Sequence, residues 1–235
     1  MSISESIARI QEQITAAARR AGRSEKDISL VAVSKTFPVD AIHEAYAVGI
    51  RLFGENKVQE FSIKAPKVTA LHDAEWHMIG HLQTNKAAKA TELFSCVDSV
   101  DSLRLAEKLN IAASQLQKKL PILIEINVGG EKAKSGVGLD SHELEQILQA
   151  AARLEYLEFR GLMTVPPFTE NPEDARYYFR QLRELRDRIA SRHIASINID
   201  TLSMGMSHDF EVAIEEGSNC VRIGTAIFGE RNYVS

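Results

Sequence analysis

The stretch ISLVAVSKTFPVDAIHEAYAVGIRLFGEN, residues 28–56, carries two hydrophobic periods in succession. Residues 28–35 are an apolar, β-branched run that ends on Ser34 and Lys35, and Pro38 follows. Residues 40–48 carry apolar side chains at three- and four-residue spacing, which predicts a helix, and 50–56 returns to a strand pattern ending on Glu55 and Asn56. Strand, helix, strand in so short a span is the unit of a parallel sheet, because neighbouring parallel strands need a crossover between them.

The same alternation recurs. Strand-like runs at 75–80, 95–100, 120–128, 158–165, 197–204 and 220–228 bring the count to eight. Helical spacing fills 56–65, 83–94 and 102–118. A later helix is expected to begin at Asp140 with Glu143 completing a capping box, another at Asn171-Pro172, and a short one over 209–216 before Gly217. Ile3, Ile7, Ile10 and Ile14 predict one more helix, over 3–21, ahead of the first strand. Strands apolar almost throughout are buried on both faces. The pattern predicts an α/β fold, a single (β/α)8 TIM barrel with an extra N-terminal helix, the alternative being an open doubly wound sheet of similar length. Nothing between the units is rich enough in Pro, Gly or Ser to act as a linker, so 1–235 is read as one domain.

Composition narrows the partners. The chain is 44% hydrophobic and 26% charged, with a net charge of -4 and no clustered Lys/Arg stripe, which argues against a nucleic-acid surface. No apolar run reaches the ~18 residues of a membrane span. The start, MSISESIARIQEQI, lacks a basic segment followed by an apolar one, so a cytoplasmic location is expected. Cys96 and Cys220 lie outside any CxxC pattern and read as small core residues, not as a disulfide or zinc site.

In such a barrel the chemistry sits at the C-terminal ends of the strands. Those ends are consistently polar: Lys35, Glu55 and Asn56, His77 and His81, Asn127, Ser203, and Arg222 through Thr225. A lysine partly desolvated at the barrel mouth has its neutral, nucleophilic amine within reach, as Schiff-base formation with an aldehyde requires; taken alone it could equally snorkel to water. SMGMSHDFEVAI (203–214) and RIGTAIFG (222–229) place small residues where backbone N–H groups can approach an anion, or simply make tight turns. Alternation turns Arg222 away from Val221 and Ile223 and into the barrel, either to pair with Glu125 or Asp98 or to face a ligand's ring nitrogen. An aldehyde-capturing lysine, a phosphate cradle and a ring-nitrogen donor together describe a pyridoxal 5′-phosphate site. Arginine does not readily give up its proton to the pyridine, which disfavours transaminase-like chemistry.

LVAVSKTFP, FGENKVQE, WHMIGHLQTNK, IEINVGGEKAKSGV, GLMTVPP and the block from Asp200 to Gly229 resemble the pyridoxal phosphate homeostasis proteins, the proline synthase co-transcribed family, whose barrel is similar to the N-terminal domain of alanine racemases. The resemblance implies that Lys35 holds the cofactor as a Schiff base, that Arg222 faces the pyridine nitrogen, that Ser203, Gly224 and Thr225 contact the phosphate, and that Asn56 lies near the ring. It implies a protein that buffers and delivers the cofactor, with effects on amino- and keto-acid balance, to apo-enzymes that depend on it. A minimal amino-acid racemase is the alternative, but two-base racemisation needs a group on each face of the ring, and the chain reaches Ser235 soon after the eighth strand with no catalytic pair complete. No catalytic residue is therefore assigned, and a monomer is expected. Lys132 and Lys134 lie in a glycine-rich loop read as solvated, with Lys134 as a second amine in the alternative. His77 and His81 straddle a strand end without an evident third ligand, so no metal is expected.

Overall fold

The computed structural model describes residues 2–131 and 133–230. Eight parallel strands, β1 (Ser29–Val33), β2 (Leu52–Glu55), β3 (Glu75–Met78), β4 (Cys96–Val100), β5 (Leu120–Glu125), β6 (Leu157–Met163), β7 (Ile197–Ser203) and β8 (Cys220–Ile223), close in sequence order, with β1 paired to β8. The barrel alternative is therefore correct and the open sheet is not. Helices α1 (Ile3–Arg20), α2 (Val39–Ala47), α3 (Val58–Lys64), α4 (Ala87–Leu93), α5 (Leu103–Gln115), α6 (His142–Ala150), α7 (Arg176–Ala190), α8 (Phe210–Glu215) and α9 (Thr225–Phe228) surround it. The core lies in two places, inside the barrel and between barrel and helices, where Phe53, Phe61, Trp76 and Phe94 stack in series.

Helix α1 forms as its isoleucines predict, with Ile7, Ile10 and Ile14 buried, and Ser2 and Glu5 close a capping box at its start. It packs against α8 and α9, and Arg20 pairs with Glu211 and Glu215 of α8.

Three expectations need correction. The eighth strand ends at Ile223, not at 228, because Gly224 turns the chain and its carbonyl accepts from Ile227 and Phe228 N–H groups, so the apolar residues beyond it form α9. Ser141, not Asp140, caps α6 by accepting from the Leu144 N–H, and Glu143 accepts instead from the Leu103 N–H, 40 positions earlier. The fifth strand stops at Glu125, and Ile126 beyond it forms an isolated bridge with Val137, its N–H donating to the Met163 carbonyl and its own carbonyl accepting from the Thr164 hydroxyl.

Candidate active site at the barrel mouth

The C-terminal ends of the strands open into a cleft of about 500 Å³. Lys35, Asn56, Arg222, Gly224 and Thr225 all line it, joined by Glu125, His81, Lys134, Met206, Ser207 and His208. Strand pairing brings the two ends of the chain together: β1 and β8 are in register from Ser29 against Cys220 to Ala32 against Ile223. Lys35 is half-buried and lies just beyond β1.

Arg222 is buried, and among the described residues no carboxylate forms an ion pair with it. Its Nη1 donates to Ser203 Oγ at 2.7 Å and its Nη2 to the Thr164 carbonyl at 2.7 Å. The sequence partners Asp98 and Glu125 are engaged otherwise or not at all. His77 Nδ1 lies 2.9 and 3.2 Å from the two oxygens of Asp98, which is fully buried. Burial favours neutral His77, but the charge and hydrogen bond of Asp98 outweigh it and raise the pKa; burial likewise works against ionised Asp98, and His77 reverses it.

Ser203 does not reach the cleft. Its hydroxyl is buried and accepts from Arg222, whereas Ser207, the second serine of SMGMSH, lines the cleft and its Oγ accepts from the Ala226 N–H at 3.3 Å. Thr225 is the first residue of α9 and exposed, not the end of a strand. Asn56 owes its place to Gly80, where a Cβ would come within 2.5 Å of the Asn56 carbonyl oxygen. The glycine of IGH is there for that close approach.

Glu125 is the residue that sequence reading missed as a cleft group. It is 7% exposed, its Oε2 has no hydrogen-bond partner among the described residues, and burial with the nearby charge of Asp101 raises its pKa to about 7 against the pull of Arg222 and His81. Position after an apolar strand was the available signal, but Asn127 took that place in the sequence reading. Lys134 Nζ pairs with Glu131 at 2.8 Å and donates to the Pro166 carbonyl, which holds its loop against the rim; Lys132 lies outside the described residues.

His77 and His81 diverge. His81 meets Asp101, while His77 gathers Asp98 and Cys96, whose donor atoms all lie within 4.8 Å of one another. The group of three potential ligands is therefore His77 with two residues of β4, and it does not include His81. Both cysteines are buried and free, as small core residues would be. A hollow of about 580 Å³ at the opposite rim is lined by groups that already satisfy one another, Arg160 with Glu158 and Lys119 with the Glu155 carbonyl. No helix is long and apolar enough to cross a membrane, among the described residues.

Residues 6–232 match the family model for the alanine racemase N-terminal domain. The pyridoxal phosphate homeostasis protein of Aquifex aeolicus (strain VF5) is 45% identical over 233 residues, 99% of this chain and 100% of that protein. Its namesake in Escherichia coli (strain K12) is 43% identical over 236 residues, 98% and 97% of the two chains. The structure of PipY from Synechococcus elongatus PCC7942 with PLP bound aligns with a TM-score of 0.85 at 35% identity, over 97% of this chain and 100% of that one. An alanine racemase of Clostridium difficile 630 shares only the fold, with a TM-score of 0.68 at 15% identity, over 96% of this chain and 56% of that one. Barrel, cleft and family match together define a protein of the alanine racemase N-terminal-domain class. Within that class the chain belongs to the pyridoxal phosphate homeostasis protein family.

Proposed function

We propose that the chain binds pyridoxal 5′-phosphate in the barrel-mouth cleft and serves intracellular homeostasis of that cofactor, holding and handing it on without turning over a substrate of its own. The observation that carries this reading is the meeting of Lys35, from the end of the first strand, with Arg222 and the Gly224-Thr225 turn from the last, in one cleft. The donor set fits the group. When bound, the cofactor would supply an aldehyde able to condense with an amine, its C=O replaced by C=N with loss of one water.

Lys35 is assigned as that amine. Arg222 has N–H donors beyond the two engaged by Ser203 and Thr164, which suits a ring nitrogen and withholds a proton from it. Ser203 is assigned to holding Arg222, while Ser207 and the backbone at Gly224 and Thr225 face the phosphate. Asn56 borders the ring. A homeostasis role follows the names of the relatives, and apo-enzymes are the recipients that such a role requires. The chain acts as a monomer in the cytoplasm, as one domain, and without a metal.

The test is direct. Purified protein incubated with pyridoxal 5′-phosphate gains visible absorbance and, after borohydride reduction, the mass of one bound cofactor. Common amino acids show no exchange of the α-proton with solvent deuterium. A colourless protein that traps nothing would overturn the cofactor reading, and rapid α-proton exchange would replace it with a racemase.

A further inference from the structure

The segment FGENKVQE, residues 53–60, holds two carboxylates, Glu55 and Glu60, that the cleft does not use. Both converge instead on the turn that carries Lys35. Lys64 Nζ donates to the Ser34 carbonyl at 2.9 Å and to Glu55 at 2.9 and 3.1 Å, and pairs with Glu60 at 2.7 Å. Glu55 also accepts from the Ser34 hydroxyl at 2.7 Å, and Glu60 Oε1 accepts from the Thr36 N–H at 2.5 Å. The residue before Lys35 and the residue after it are thus gripped by one ionic network.

Strand alternation separates that network from the ligand side. Lys35 and Asn56 line the cleft, whereas Ser34 and Glu55 point the other way, toward α3, which supplies Glu60 and Lys64 one helical turn apart. The turn needs holding, because Thr36 has a φ of 68°, in the left-handed region that a β-branched residue avoids. Lys64 is 8% exposed and Glu55 not at all. A buried ion pair is weak support for stability by itself, and fixing one geometry is the use that offsets its desolvation.

We propose that Lys64, acting through Glu55 and Glu60, is a positioning residue that fixes the direction in which Lys35 enters the cleft. The inference rests on the assignment of Lys35 as the cofactor amine. Glu60, the last residue of FGENKVQE, has its role in this network as the acceptor for the Thr36 N–H.

The experiment compares Lys64→Met, Glu60→Ala and Glu60→Gln with the unsubstituted chain, using pyridoxal 5′-phosphate itself as the probe. Circular dichroism checks folding, intact mass after borohydride measures trapping, and visible absorbance is titrated against cofactor concentration and pH. K64M and E60A are expected to weaken binding about tenfold and to move the pH at half-maximal absorbance, since small misplacements of a reacting group cost that much or more. E60Q keeps an acceptor oxygen for the Thr36 N–H and is expected to stay within about twofold of the unsubstituted chain, a recovery that a general loss of stability would not produce. Folded K64M and E60A with unchanged affinity and pH midpoint would overturn the proposal. Should K64M not fold, the contrast between E60A and E60Q decides it. Failure of the unsubstituted chain to trap cofactor would overturn the assignment of Lys35, and this proposal with it, whereas normal trapping by every variant would overturn the positioning role alone.

Discussion

Arg222 Nη1 lies 2.7 Å from Ser203 Oγ, and this bond joins the ends of β7 and β8 inside the barrel. With the second bond to the Thr164 carbonyl, it holds a buried cation that has no carboxylate partner among the described residues. Arg222→Met removes the donor from both acceptors. It is expected to destabilise the fold by about 2 kcal/mol, the cost of leaving a buried polar group unpaired, as read by urea denaturation. An unchanged denaturation midpoint would show that water replaces the donor.

Lys35→Ala is expected to abolish visible absorbance and borohydride trapping with pyridoxal 5′-phosphate while leaving the circular dichroism unchanged. The side chain is half-buried at a strand end and outside the apolar core, so its truncation falls in the range of surface substitutions, about 0.5 kcal/mol. Trapped cofactor in K35A would move the attachment to another amine of the cleft.

Glu125 sets a pH dependence of known sign. Its pKa rises from 4.5 to about 7 on folding, so the folded chain keeps a proton that the unfolded chain has lost. Stability therefore falls as pH rises from about 4.5 to about 7 and stays reduced above that, by roughly 3–4 kcal/mol as an upper bound at 1.36 kcal/mol per unit. Glu125→Gln should flatten that descent, measured as melting temperature of the cofactor-free protein from pH 4.5 to 8. A parallel pH profile in E125Q would show that Glu125 is ionised as readily in the fold as out of it.

His77 and Asp98 act in a different window. The raised pKa of His77 means that its charged form contributes stability fully below the ordinary 6.5, and that this contribution is lost as pH climbs through the higher folded value. Asp98, lowered, contributes above its ordinary 3.8 and loses the contribution in acid. His77→Gln leaves a buried carboxylate without its cation, so a cost of about 3–5 kcal/mol is expected near pH 6. That cost should shrink toward pH 9. A pH-independent difference between H77Q and the unsubstituted chain, by calorimetry, would mean that His77 is neutral in the fold.

Gly161 stands where β6 meets β7, at the point where their register shifts between the Phe159-Ile197 and Gly161-Thr201 pairs. A Cβ there would sit inside the radius of the Thr201 carbonyl oxygen. Gly161→Ala is expected to cost more than about 4 kcal/mol or to prevent folding, because backbone on both sides must move. A soluble G161A with a native melting temperature would show that the strands can part there.

The strands were legible because parallel strands buried on both faces are apolar throughout, and the polar residue that ends each run marks the barrel rim. Arg222 could be read as facing inward from alternation, whereas Lys35, at a strand end, could by itself equally have reached out to water. Where two local signals competed, sequence erred: Asp140 and Ser141 are both capping residues one position apart, and Glu143 was drawn away by the Leu103 N–H of another helix. At the last strand, the apolar residues past Gly224 continued the pattern while the backbone had already turned into α9.

Periodicity thus determined the eightfold alternation of strand and helix, the N-terminal helix and which strand ends bring polar residues to the rim, since those depend on spacing along the chain, while closure of the sheet into a barrel was settled by the pairing of β1 with β8. Only the tertiary structure decided which buried groups satisfy one another. Arg222 takes a serine and a carbonyl in place of an acid, Asp98 takes His77, Glu125 is left with an oxygen facing no partner among the described residues, and Lys64 reaches across from a helix to the turn around Lys35. Those pairings join residues on different elements at distances that closing the barrel creates, and a buried charge is settled by whatever lies within hydrogen-bond reach once water has been removed.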